Sequence, residues 1–163
     1  LRRMKRRYTV AGYLRAVALI RASVPDVAIT TDVIVGFPGE TEAEFRETLE
    51  FCRDLKFARI HVFSFSPRPG TAAAAMPDRI SSAVKKKRSQ IMLSLARESA
   101  RSFQQKFLGR TLEVLWERSS GGVWSGLTGN YIRVYTKSCE ELTDKILPVK
   151  LEKLYRDGVW GEF

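Results

Sequence analysis

Few side chains in this sequence are equipped for chemistry, and the most conspicuous is a lone carboxylate inside an apolar run. In VAITTDVIV (27–35) one alternating set is Val27, Ile29, Thr31, Val33 and Val35, and the other is Ala28, Thr30, Asp32 and Ile34. Alternate residues of a strand face opposite sides. The first set is apolar enough to lie beneath helices. The second, small and holding one carboxylate, suits a barrel interior with a ligand. A strand-end Asp accepting from nearby backbone amides is the plainer alternative. His61 is the only histidine; with no partner cluster for a metal it reads as a barrel-lining or packed side chain. Cys52 and Cys139 are the only cysteines. They make neither a disulfide framework nor a metal site, and Cys52 reads as a small core hydrophobe. No catalytic residue and no metal ligand is assigned within the chain.

Charge supplies the second lead. Lys and Arg number 28 against 18 acids, a net charge of +10. Residues 1–82 carry 13 basic and 9 acidic side chains, and residues 83–163 carry 15 and 9. Between Lys85 and Arg110 eight bases meet one acid, Glu98. Such clustering favours a polyanion partner, nucleic acid above all, and salt-dependent binding; a solvated basic surface is the bland alternative. No apolar run approaches the ~18–20 residues of a membrane helix. No signal segment opens the chain, so the cytoplasm is the expected compartment. The chain starts at Leu1 with five bases in seven residues and no initiator Met, like a sequence entered partway through.

The elements that must position these residues follow from pattern. Residues 9–23 read as a helix capped by Thr9 and ended by Val24-Pro25, with Leu14, Val17, Ala18 and Arg21 on one face. After the strand at 27–35, GFPGE (36–40) is a tight turn; Gly36 and Gly39 let the backbone turn and Pro38 stiffens it. Thr41 and Glu44 form a capping box for a helix to about Leu55, with Phe45, Leu49 and Cys52 as its buried stripe. ARIHVFSFS (58–66) is the next strand, so strand, helix and strand make a βαβ unit with parallel strands and helices outside. Residues 66–79 read as a loop. Residues 80–105 read as one long helix with Ile80, Val84, Ile91 and Leu95 on its apolar side, and with Lys85, Lys86, Lys87 and Arg88 solvated or poised over phosphate. Five short alternating runs follow (111–117, 122–128, 131–136, 145–151, 159–163), as in a small antiparallel barrel of OB-like scale. The expected domains are 1–104 and 105–163.

The runs RMKRRYT (3–9), TTDVIVGFPGET (30–41) and HVFSFSPRPGT (61–71), continued by MP (76–77) and KKKR (85–88), closely resemble the MiaB/MtaB-type radical S-adenosylmethionine tRNA methylthiotransferases. The resemblance spans essentially the whole chain. It implies an α/β fold class, the C-terminal part of a partial (β/α) barrel of radical SAM type, joined to a small all-β TRAM domain. In that family a [4Fe–4S] cluster reductively cleaves S-adenosylmethionine to a 5′-deoxyadenosyl radical. Asp32 would then accept both hydroxyls of the cofactor ribose. The turn at Gly36, Pro38 and Gly39 would border the cofactor, since barrel sites are built at strand C-terminal ends. Arg6 would pair with the methionyl carboxylate, and Val62 and Phe63 would pass along the adenine, mainly through backbone. Arg68 could approach phosphate. The implied partner is tRNA, met by Lys85, Lys86, Arg110, Arg118, Arg133 and Lys137, with Lys150 and Lys153 also interleaved among Trp116, Trp124, Tyr131 and Tyr135. Trp116 and Tyr131 are expected to serve both core and surface.

The chain departs from the family in lacking the cluster-binding C-x-x-x-C-x-x-C motif and a second-cluster domain. As given it is expected to be inactive alone, and its partial barrel to have an open edge that is covered in some way. The HVFSFSPRPGT segment resembles the MtaB branch, which implies C2 methylthiolation of N6-threonylcarbamoyladenosine beside the anticodon. The isopentenyladenosine-directed and ribosomal-protein-directed relatives are alternatives. So is a non-catalytic RNA-binding module, against which the retained TTDVIVGFPGET strand argues.

Overall fold

The computed structural model describes all 163 residues. They divide into two compact units, Leu1–Arg97 and Glu98–Phe163.

The first unit is built on α1 (Val10–Ser23), β1 (Thr30–Val35), α2 (Glu42–Leu55), β2 (Arg59–Ser64) and the first part of α3 (Ser82–Gln105). Thr9 caps α1 by accepting from the Gly12 amide. The T-x-x-E capping box of α2 forms in full: the Glu44 amide donates to Thr41 Oγ1 at 3.1 Å, and the Thr41 amide to Glu44 Oε2 at 2.8 Å. The Thr41 backbone bond, reinforced by Arg3, holds the Glu44 carboxyl below its ordinary range. β1 and β2 pair in parallel, with Asp32 opposite His61 and Ile34 opposite Phe63. The strand–helix–strand unit read from the sequence is therefore present, as a two-stranded parallel sheet.

One face of that sheet is covered. Val33, Val35 and Ile60 are buried with Val17 of α1, Phe45, Cys52 and Leu55 of α2, and Met92 and Leu95 of α3. The other face, Thr30, Asp32, Arg59, His61 and Phe63, is exposed.

Two expectations are corrected here. The stretch 66–79 is not wholly loop: Thr71 Oγ1 accepts from the Ala74 amide and starts a short 3-10 turn over Ala72–Ala75. Of the expected apolar side of α3, Leu95 is buried, but Val84 and Ile91 are exposed and Ile80 precedes the helix. The inward side runs through Arg88, Met92 and Leu95, which share a face at 3–4 spacing. Arg88 is drawn inward by a carboxylate on the turn after β1.

The second unit is a closed barrel of β3 (Thr111–Ser120), β4 (Val123–Thr128), β5 (Arg133–Lys137), β6 (Ile146–Tyr155) and β7 (Gly158–Glu162), in the order β3-β4-β5-β7-β6. Its interior holds Val114, Trp116, Val134, Val149, Leu151 and Val159, all fully buried. The expected all-antiparallel barrel is corrected at one seam, where β5 and β7 pair in parallel. A ring with an odd number of strands cannot alternate direction all the way round, so one seam must be parallel. Gly158 permits it. A β-carbon there would lie 2.1 Å from the Arg133 carbonyl oxygen, a backbone atom that cannot step aside.

Candidate functional site

The open face of β1 and β2 is the candidate site. Asp32 and His61 are register partners on it, exposed, with Ile34 and Phe63 the next pair toward the strand ends. A carboxylate that can accept two hydroxyls thus stands beside apolar surface, half-buried at Ile34 and 51% exposed at Phe63. Val62 points the other way and packs against the core, so only its backbone can serve a ligand.

The turn that ends β1 is braced from within. Glu40 Oε2 accepts from the Gly36 amide at 2.7 Å and from Arg88 Nη1 at 2.7 Å. Arg88 Nη1 also donates to the Glu40 carbonyl at 2.9 Å, and Nη2 lies 3.5 Å from Glu42 Oε2. The Arg88 guanidinium stands 5.4 Å from the Phe45 ring centre. This corrects the expectation of a solvated Arg88: its side chain is 6% exposed, and that of Glu40 is 12% exposed. Gly36 is required twice over, because its φ is +74° and a β-carbon would meet Lys85 Cγ at 2.3 Å. Its amide is already given to Glu40, so the turn fixes the strand end rather than offering that donor to a ligand.

From the basic N-terminal segment, the residue that reaches this turn is Arg3. It donates to the Pro38 carbonyl at 3.1 Å and pairs with Glu44 at 2.6 Å, and its guanidinium occupies the space a Gly39 β-carbon would need. Arg6 is exposed. Sequence reasoning missed Arg3 and the Arg88–Glu40 pair. The only signal for the latter was the 3–4 spacing of Arg88 with Met92 and Leu95.

A cavity of about 330 Å³ opens where β1 and β2 end, with Gly36, Pro38, Phe65, Arg79, Ser81 and Lys85 among its walls. Its two cations are already engaged: Lys85 Nζ donates to the Phe65 carbonyl at 3.1 Å and Arg79 to that of Ala74 at 3.2 Å.

The remaining residues assigned to RNA differ in exposure and in partners. Lys86, Arg118 and Lys137 are exposed. Arg110 lies 4.9 Å over the Phe107 ring. Arg133 is half-buried and held near Glu117 (3.7 Å) and Asp157 (3.8 Å). Trp116, expected to share core and surface, is wholly core, whereas Tyr131 is 80% exposed. The charge excess is also redistributed. Residues 1–97 hold 18 basic and 9 acidic side chains, and residues 98–163 hold ten and nine. The barrel unit is nearly neutral, and the net charge belongs to the first unit.

No group of three or more ligating side chains that could hold a metal ion is formed. Cys139 is exposed and Cys52 is buried, as the sequence reading had it for Cys52. Burial pushes the Cys52 thiol from its ordinary 9.0 up to about 11. The native fold thus keeps this proton more tightly than the unfolded chain does. The associated stability is complete below pH 9 and is lost as pH rises toward 11. Iodoacetamide at pH 8 should alkylate Cys139 and spare Cys52 until denaturant is added; mass spectrometry of the peptides reads this, and equal labelling of both would contradict the burial. No helix is long and apolar enough to cross a membrane.

The Radical SAM superfamily model matches residues 1–52. A tRNA-2-methylthio-N(6)-dimethylallyladenosine synthase of Chloroflexus aurantiacus is 41% identical over 155 residues, 93% of this chain and 33% of the relative. The threonylcarbamoyladenosine tRNA methylthiotransferase MtaB of Bacillus subtilis is 37% identical over 166 residues, 97% of this chain and 37% of the relative. A second dimethylallyladenosine-type synthase, from Symbiobacterium thermophilum, is 41% identical over 163 residues, 98% of this chain and 34% of the relative. The chain spans about a third of the length of these relatives. Similar to both named branches over nearly all its residues, the chain is a homologue of the MiaB/MtaB-type radical SAM tRNA methylthiotransferases.

Proposed function

We propose that this chain contributes part of the S-adenosylmethionine site and part of the tRNA-binding surface of a cytoplasmic tRNA methylthiotransferase that modifies C2 of a hypermodified adenosine. The observation that carries the reading is the open face of the parallel pair, with Asp32 presented beside Ile34 and Phe63. On this reading β1 and β2 are strands of a radical SAM partial barrel and the five-stranded barrel is a TRAM domain.

These residues fit S-adenosylmethionine. The Asp32 carboxylate accepts from the two ribose hydroxyls, Phe63 and the backbone at Val62 flank the adenine, and Arg6 is free to meet the methionyl carboxylate. Gly36, Pro38 and Gly39 act by shaping the turn that fixes where β1 ends. The cofactor, when bound, supplies a methyl group and, on reduction, the radical. An iron–sulfur cluster does not fit this chain: of its two cysteines one is buried and the other lies in the other unit. The chain alone should not cleave S-adenosylmethionine.

The HVFSFSPRPGT segment supports N6-threonylcarbamoyladenosine as the substrate. A second reading, N6-dimethylallyladenosine, is favoured by the two relatives at 41% identity that carry that name. Nucleoside mass spectrometry of bulk tRNA from cells with and without the intact protein decides. The methylthio derivative of threonylcarbamoyladenosine is expected. Its dimethylallyl counterpart would replace the first reading by the second, and absence of both would overturn the proposal.

A further inference from the structure

We propose that the outer face of β5, β6 and β7 is a stacking platform for an unpaired RNA base, formed by Tyr135, Tyr155 and Trp160 under Arg156. This rests on the reading of the barrel as an RNA-binding unit and names the surface it would use.

The barrel does not need these rings inside. Its interior is filled by Trp116, Val114, Val134, Val149, Leu151 and Val159. Along β5, Val134 and Thr136 are buried and Tyr135 faces out; along β7, Val159 and Gly161 are buried and Trp160 faces out. Tyr155 would face inward if β6 kept the alternation set by Val149 and Leu151. A register shift between Leu151 and Lys153 inserts one residue, so Lys153 is exposed opposite Trp160 and Tyr155 comes out beside it. Re-aiming a side chain is a recurrent use of such bulges. The result is a connected set of half-buried rings. Tyr135 and Tyr155 meet edge to face at 5.3 Å, and Tyr155 and Trp160 at 5.2 Å.

The cations around the rings identify the occupant. Arg156, in the left-handed region at φ 52°, holds its guanidinium 5.0 Å from the Tyr155 ring centre and 5.6 Å from that of Tyr135. Lys153 and Lys137 are exposed on the same outer face. Of the acids on this face, Asp157 is taken up by the Tyr135 hydroxyl and by Arg133, and Glu162 is the register partner of Lys150. Flat π-surfaces beneath a guanidinium and flanked by lysines complement a nucleobase with its phosphate. The near-neutral charge of this unit makes the rings, rather than bulk attraction, its means of gripping RNA.

The test uses the chain as given and two probes: an RNA stem–loop with 2-aminopurine in the loop, and the same stem as a blunt duplex. The loop RNA should bind in preference to the duplex and its fluorescence should be quenched. Tyr155→Ala should weaken loop binding about tenfold and relieve the quenching with the salt dependence unchanged, and Arg156→Ala should weaken it by a similar factor, relieve the quenching and also lower the salt slope. Tyr155→Phe should bind as the parent does. Lys86→Ala, by contrast, should lower the salt slope and leave the quenching intact. If Tyr155→Ala fails to fold, Arg156→Ala carries the test, since that side chain is exposed. RNA binding that persists undiminished in these variants, or equal affinity for the duplex, overturns the platform alone. A chain that binds neither RNA overturns the RNA reading of the barrel as well.

Discussion

Replacing Arg88 by methionine should cost the Leu1–Arg97 unit about 3–5 kcal/mol, the range for breaking a buried ion pair by removing one partner. The Glu40 carboxylate would keep the Gly36 amide and lose its cation in a setting where its side chain is only 12% exposed. Methionine preserves most of the stem that packs near Phe45, so the loss reports charge and hydrogen bonding rather than a cavity. Arg88→Lys should recover only part, because a single ammonium nitrogen cannot keep both bonds that Nη1 gives to Glu40 and also reach Glu42 as Nη2 does. Adding Glu40→Gln to Arg88→Met should regain a good share, since the stranded charge is then gone. Urea unfolding followed by far-ultraviolet circular dichroism measures the cost, and amide exchange over residues 30–64 locates it. A loss below about 1 kcal/mol, typical of an exposed pair, would contradict the bracing role.

That bracing also shows why some of the site was legible in the sequence and some was not. The alternation through Asp32 and the capping box at Thr41 and Glu44 are local signals with fixed periods, and both stand in the structure. The partner of Arg88 lies 48 residues away, and nothing within KKKR separates the one buried base from its solvated neighbours. The same holds in the N-terminal segment, where five bases look alike and Arg3 is the one that meets the turn, through partners 35 and 41 residues distant. In the barrel the strands were legible from turn residues and alternation. The parallel seam follows from strand number and order, and the outward turn of Tyr155 follows from a one-residue bulge. Neither leaves a mark in composition or period.

The second large effect concerns the carboxylate itself. Asp32→Asn keeps the size of the side chain and removes its charge, and one oxygen becomes a donor that cannot accept. Hydrogen bonds to a charged acceptor contribute about 1.5–3 kcal/mol each, so losing one of the two ribose contacts should weaken S-adenosylmethionine binding by about 10- to 150-fold. Stability should change little, because Asp32 is exposed on the open face. Asp32→Glu should fall between the two, with the charge kept and the reach altered.

The claim on which the account depends is therefore tested by S-adenosylmethionine affinity in the intact, cluster-loaded protein, measured by equilibrium dialysis for the parent and for Asp32→Asn. A dissociation constant raised at least about tenfold, with the unfolding midpoint unchanged, is the predicted result. Equal affinities in the two proteins would contradict the assignment of this strand face to the cofactor.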